Sequence, residues 1–259
     1  MVISQILISS YKAERPPARF PNAFLKTVLN GSAISDENTS VSADFSGLRA
    51  LTYKTYIFGY DRTLADLTRG YRIAYSEAFR SFGMPYDEAL EPEYFSTPVD
   101  EIFQRYHKGC TCMFRDFMTM LVTIYDREVK ENSRILPDAS PCIRKLYARG
   151  CSLGIITDSY EQHVHEVLRE NGLTKMFSSV VGIERMAVRR PHPYSVGLCL
   201  QELGSEAASA AVVSADPLDI QTGNNAGTVT ILVDRGGRGE EACSPDYVVD
   251  SLADVPLVP

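Results

Sequence analysis

The sequence predicts an α/β fold: a doubly wound parallel sheet with a helical unit inserted near its start. Three observations predict it. Short, unbroken apolar runs recur through the second half of the chain, each followed by a stretch with helical spacing. Several of those helical stretches run into a glycine, at Gly150, Gly172, Gly204 and Gly227. Between residues 68 and 133 the strand-like runs disappear and helical periodicity alone remains. Unalternated apolar strands separated by helices imply a parallel sheet covered on both faces.

Residues 1–50 read as an N-terminal extension, partly ordered at best. Pro16, Pro17 and Pro21 break any early helix, and residues 32–46 are rich in Ser, Thr, Asp and Asn, which favour turns. Residues 53–58 (Tyr-Lys-Thr-Tyr-Ile-Phe) form the first strand and run into the turn-forming segment 59–64. Tyr71, Ala74, Tyr75, Ala78, Phe79 and Phe82 recur at helical spacing over 68–82, and Gly83 ends that helix. Two further helices are expected over 99–107 and 113–131, their apolar stripes facing a helix–helix core. From residue 140 helices alternate with strands at 151–156, 179–182, 210–214, 228–233 and 247–249.

Composition narrows the function classes. Of 259 residues 44% are hydrophobic and 23% charged, ordinary globular usage. The balance of 26 Lys+Arg against 33 Asp+Glu, net −7 without a basic block, argues against nucleic acid and anionic membrane surfaces as partners. No apolar run reaches the ~18–20 residues needed to cross a bilayer. The apolar opening, residues 1–8, has no basic residue ahead of it and reads as an ordinary segment rather than a signal peptide. The six cysteines contain no Cys-x-x-Cys, and Cys110-Thr-Cys112 has no neighbours to complete a metal site, so reduced thiols in a cytoplasmic protein are expected. His163 and His165, two apart on one helix, are expected to face solvent rather than pair around a metal.

In doubly wound sheets ligands bind outside the carboxyl ends of the strands. The segments there are Gly59-Tyr-Asp61-Arg62-Thr63-Leu64, Thr157-Asp158-Ser159, Arg190-Pro-His-Pro193 and Ser214-Ala215-Asp216-Pro-Leu-Asp219. In this order, with Leu136-Pro-Asp-Ala139 and Gly172-Leu173 between them, they resemble the haloacid dehalogenase (HAD) superfamily, in its phosphoglycolate-phosphatase-like branch. The resemblance covers about residues 53–258. It implies a Rossmann-like core from 51–67 and 134–259, with a helical cap from 68–133.

The resemblance also implies roles. The family's first motif, Asp-x-Asp-Gly-Thr-Leu, supplies a nucleophile that also ligates Mg²⁺, and then an acid/base. Here the acid/base position is Asp61, but the nucleophile position is Gly59. Asp66, past the turn, is read as a helix-start carboxylate rather than a substitute. Thr157, with Asp158, stands where the family holds the phosphate, although Thr157 and Ser159 also suit the start of the next helix. Arg190 replaces the usual lysine and keeps its charge. Aligned on the fourth motif, Gly-Asp-Ser-x-x-Asp, the metal carboxylate has become Ala215. Asp219 remains, and Asp216, one residue late, suits a helix N-cap ahead of Pro217 as much as a metal. In the cap, residues 94–98 form the expected specificity turn, with Ser96 and Thr97 facing the substrate.

Function follows from what is missing. Mg²⁺ is the family's cofactor, and here two of its expected carboxylates are absent. The leading expectation is a catalytically impaired phosphatase fold that keeps a pocket for phosphate or a small phosphorylated molecule. The alternatives are a slow Mg²⁺-dependent phosphatase and an interaction module that uses the N-terminal extension.

Overall fold

A computed structural model describes residues 18–19, 53–97, 99–236 and 243–258. Along the chain its regular elements are β1 (Ala18–Arg19), β2 (Thr55–Gly59), β3 (Ala65–Asp66), α1 (Thr68–Ser81), α2 (Glu91–Ser96), α3 (Val99–Tyr106), α4 (Phe114–Asn132) and β4 (Arg134–Ile135). Then come α5 (Ala139–Ala148), β5 (Ser152–Ile156), α6 (Glu161–Glu170), β6 (Ser179–Val181), α7 (Tyr194–Leu203), β7 (Ala210–Ser214), α8 (Pro217–Ala226), β8 (Val229–Val233) and β9 (Tyr247–Val249).

The sheet grows outward from β2. All five of its residues are buried because it has parallel partners on both sides, β5 and β7. The chain first builds β5 and β6 on one flank. It then crosses back to build β7, β8 and β9 on the other, giving the order β1-β9-β8-β7-β2-β5-β6. That reversal opens a crevice at the carboxyl ends of β2, β5 and β7. Register aligns those ends: Gly59 lies opposite Ile156, and Phe58 opposite Val213. Gly59, Thr157 and Ser214 therefore surround one point.

Alternation along β2 fills both faces. Tyr56 and Phe58 enter the larger core, with Ile155, Val213, Ile143 and Val164. Ile57 enters the opposite layer, where Val196, Cys199 and Leu200 of α7 cover it. The uninterrupted apolar strands read in the sequence are thus the product of two covered faces.

The helical cap leaves and returns through a two-stranded antiparallel neck, in which Ala65 faces Ile135 and Asp66 faces Arg134. Asp66 accepts the Thr68 N–H at 2.9 Å and opens α1, as expected of a helix-start carboxylate. The periodic aromatics of α1 and α4 meet inside the cap. The Phe79 ring lies 5.8 Å from that of Phe117 and 5.2 Å from that of Tyr94, distances typical of packed aromatic pairs.

Four expectations need amending. Residues 94–96 are the last turn of α2, not a loop, and Tyr94 is fully buried in the aromatic cluster. A run of six residues is too short for periodicity to reveal, and Pro92 disguises a favourable first-turn proline. Cys110 and Cys112 are bonded to each other, because the bend between α3 and α4 brings their Cα atoms to 5.5 Å. His163 is largely covered and sits 3.5 Å from Asp126 of α4, while His165 is exposed as expected. β1, inside the presumed extension, pairs in parallel with β9; the rest of residues 1–50 lies outside the described residues.

Arg62 adopts a left-handed backbone, φ 60°, where an L side chain costs about 1–2 kcal/mol. The turn needs that conformation to return the Arg62 N–H to the Ala65 carbonyl at 2.7 Å. Arg62→Gly should therefore raise thermal stability by about 0.5–1 kcal/mol, since glycine meets no such penalty but brings its own unfolded-state entropy. Denaturant unfolding of the two proteins measures it.

Candidate functional site

A cleft lies at the crevice between the sheet and the cap. It is lined by Asp61, Thr157, Asp158, Ser159, Arg190, Asp216 and Asp219 from the core, and by Tyr71 and Tyr125 from the cap. The space open to a water-sized sphere inside is about 20 Å³, room for one ordered water.

Arg190 organises this cleft. It is 6% exposed. One guanidinium nitrogen donates to Asp158 Oδ2 and another to Asp219 Oδ1. Burial opposes its charge, but Asp219, Asp158 and Asp216 more than offset that and hold the guanidinium firmly protonated. Nε finds no acceptor among the described residues.

Asp219 uses its other oxygen to accept the Ser214 hydroxyl at 2.7 Å. Burial lifts the Asp219 carboxyl to about 6, against the pull of Arg190 and of the Ser214 hydroxyl. Ser214 in turn stands 3.1 Å from Thr63 Oγ1 and accepts the Asp216 N–H at 3.0 Å. Thr63 Oγ1 accepts the Ala215 N–H at 2.9 Å. Asp216 accepts the Leu218 N–H at 3.0 Å and caps α8, the helix-cap role open to it in the sequence. Thr157 Oγ1 accepts the Ser159 N–H at 3.0 Å.

Gly59 closes the floor. A Cβ at this position would fall far inside contact distance of Asp219 Oδ2 and Ser214 Oγ, and 3.0 Å from Ser214 Cβ. The place for a side chain on β2 is therefore already filled from β7 and α8.

The cap reaches the cleft through two hydroxyls. Tyr71 of α1 and Tyr125 of α4 line it together with Asp61 and Ser159. The two phenols stand 3.2 Å apart, with ring centroids 4.6 Å apart. Burial raises the Asp61 carboxyl above the ordinary carboxylate range, Asp216 adds to this, and Arg62 and the Tyr71 hydroxyl oppose it.

The structure thus gathers Asp61, Thr157, Asp158, Arg190, Asp216 and Asp219 around one cleft, with Gly59 at its floor. Thr97 is not among the residues lining it, and the Ser96 side chain lies outside the described residues. Sequence reasoning missed Ser214, Tyr71 and Tyr125. The two tyrosines carry the same helical spacing as their core neighbours, so periodicity could not separate them. The fit to Mg²⁺ is poor: Gly59 and Ala215 offer no side-chain oxygen, Asp219 is committed to Arg190 and Ser214, and Asp216 to its helix. Among the described residues no group of three His, Cys, Asp or Glu stands where it could hold a metal ion.

Comparison with known proteins places this architecture. Residues 56–233 match the model of haloacid dehalogenase-like hydrolases. Pyrophosphatase PpaX of Oceanobacillus iheyensis is 22% identical over 211 residues, covering 79% of this chain and 96% of its own. A phosphoglycolate phosphatase of Yersinia pestis is 27% identical over 210 residues, covering 76% and 89%. CbbY from Rhodobacter sphaeroides, solved in complex with phosphate, superposes with a TM-score of 0.64 at 22% identity, covering 78% of this chain and 96% of its own. A HAD-superfamily hydrolase from Geobacter sulfurreducens gives 0.63 at 18%, covering 79% and 95%.

Two measurements check the site's electrostatics. Arg190→Ala should cost about 3–5 kcal/mol in denaturant unfolding, since it strands Asp219 in the interior without its partner. Because the folded state holds a proton on Asp61 more tightly than the unfolded state, Asp61 contributes stability at low pH that fades as pH rises past the usual carboxylate range. Asp61→Asn should therefore gain on the native protein in melting temperature as pH rises from about 3 to about 8, and thermal melts of both proteins at the two pH values measure it.

Proposed function

The chain belongs to the haloacid dehalogenase-like hydrolase family, in its phosphoglycolate-phosphatase-like branch, and we propose that it is a member without phosphatase turnover. The observation that carries this reading is the floor of the cleft. The nucleophile position is Gly59, which has no side chain, and its space is taken by Ser214 and Asp219. Covalent phosphoryl transfer needs an oxygen there to attack phosphorus. Removing one member of a catalytic unit costs on the order of 10⁴–10⁶ in rate. Here the carboxylate at 215 is gone as well, so no metal offsets the charge that develops on the transferring group.

What the cleft retains is suited to holding an anion weakly. Arg190 still carries its charge and an unused Nε–H, beside the Thr157 hydroxyl and the first turn of α6, and helix starts favour anions. CbbY, a structural neighbour, was solved with phosphate. Against this stand Asp61, Asp158, Asp216 and Asp219, and a phosphate must draw Arg190 away from Asp158 to enter. The expected affinity is therefore millimolar, about −4 kcal/mol.

A slow phosphatase is the competing reading, and one observation favours it: Asp61 is kept, with a raised pKa that suits an acid. The two readings separate in one assay. The purified protein with Mg²⁺ and p-nitrophenyl phosphate should show no turnover above the Asp61→Asn variant and no trapped aspartyl-phosphate. Turnover that Asp61→Asn abolishes would establish the enzyme instead. Calorimetric titration with inorganic phosphate, free of metal, should show millimolar binding that Arg190→Lys alters. Heat at the dilution level in both proteins removes the pocket.

A further inference from the structure

Ser214 is fully buried, and its hydroxyl has no spare capacity. It donates to Asp219 Oδ2 at 2.7 Å and accepts from the Asp216 N–H at 3.0 Å. Its remaining lone pair faces Thr63 Oγ1 at 3.1 Å. A serine offers one donor and two acceptor sites, and here all three are used. The same bond is what a side chain at position 59 would strike, because a Cβ built on Gly59 falls on both Ser214 Oγ and Asp219 Oδ2. β2 and β7 are register-locked neighbours, Phe58 opposite Val213, so neither residue can slide away from the other.

We infer that Gly59 and Ser214 are one coupled exchange, in which the Ser214 side chain and the Asp219 carboxylate it holds occupy the volume a nucleophile at 59 would need. The inference rests on the absence of turnover proposed above and adds its residue-level cause. The resembled fourth motif begins with glycine where this chain has Ser214, so here the strand end that carries the floor's side chain is that of β7, not β2. Restoring carboxylates at 59 and 215 alone leaves the new aspartate in the volume that Ser214 and Asp219 already fill. Position 214 thereby decides whether the cleft can be returned to chemistry.

A thermal cycle tests the coupling without catalysis or metal. Gly59→Ala should lower the melting temperature by about 5 °C or more in the native background. In the Ser214→Gly background the same change should cost less than half as much. The catalytic arm compares Gly59→Asp/Ala215→Asp with the same double variant carrying Ser214→Gly, using Mg²⁺ and p-nitrophenyl phosphate. The triple variant should be at least about tenfold faster, a gain of 1.4 kcal/mol in transition-state stabilisation. The inference falls if Gly59→Ala costs the same in both backgrounds, or if the double variant is as fast as the triple. Turnover by the native protein would overturn the proposed function instead, and the thermal cycle would still decide the coupling.

Discussion

One buried guanidinium holds the cleft together. Arg190 lies between Asp158 and Asp219, which arrive from the ends of two different strands. A charge this deep is tolerable only with partners in place, because an unpaired buried ion costs several kcal/mol. The ion pairs therefore tie the loop after β5 to the first turn of α8 across β2. Such a cluster is costly to build and costly to break, so it specifies one arrangement of three chain segments more than it adds net stability.

The polar network around it is closed in a chemical sense. Asp219 reaches Ser214, Ser214 reaches Thr63 and the Asp216 amide, and Thr63 reaches the Ala215 amide. The Asp219 carboxyl and the Ser214 and Thr63 hydroxyls each find a partner inside the protein. A working hydrolytic centre usually keeps some groups waiting for substrate or metal. Here Gly59 and Ala215 present no polar side chain at the floor, and the Nε–H of Arg190 is a donor without an acceptor among the described residues.

Most of the fold was legible in the sequence because its signals are repeated. Unbroken apolar runs, helical spacing and terminal glycines recur from β5 to β9, and each repetition supports the others. Short elements were not legible. The neck strands β3 and β4 have two residues each, and α2 has six, too few for any period to show. At the site, strand-end position singled out the segments and the family resemblance singled out Asp61, Thr157, Arg190 and Asp219, which line one cleft. Ser214 escaped notice because a serine closing a strand looks ordinary. Its importance lies in a neighbour 155 positions away, which only the parallel register of β2 and β7 brings into contact.

The phenols of Tyr71 and Tyr125 give the cap a property of its own. They hydrogen-bond each other from two different helices and line the cleft beside Asp61 and Ser159, so the insertion meets the core at its polar centre as well as through the neck. The two rings also wall off the charged groups of the core on that side, so drawing the insertion away from the sheet would expose Asp61, Asp158 and Arg190 to bulk water. The desolvation that ties Arg190 to its carboxylate partners therefore depends on a segment that contributes no strand to the main sheet.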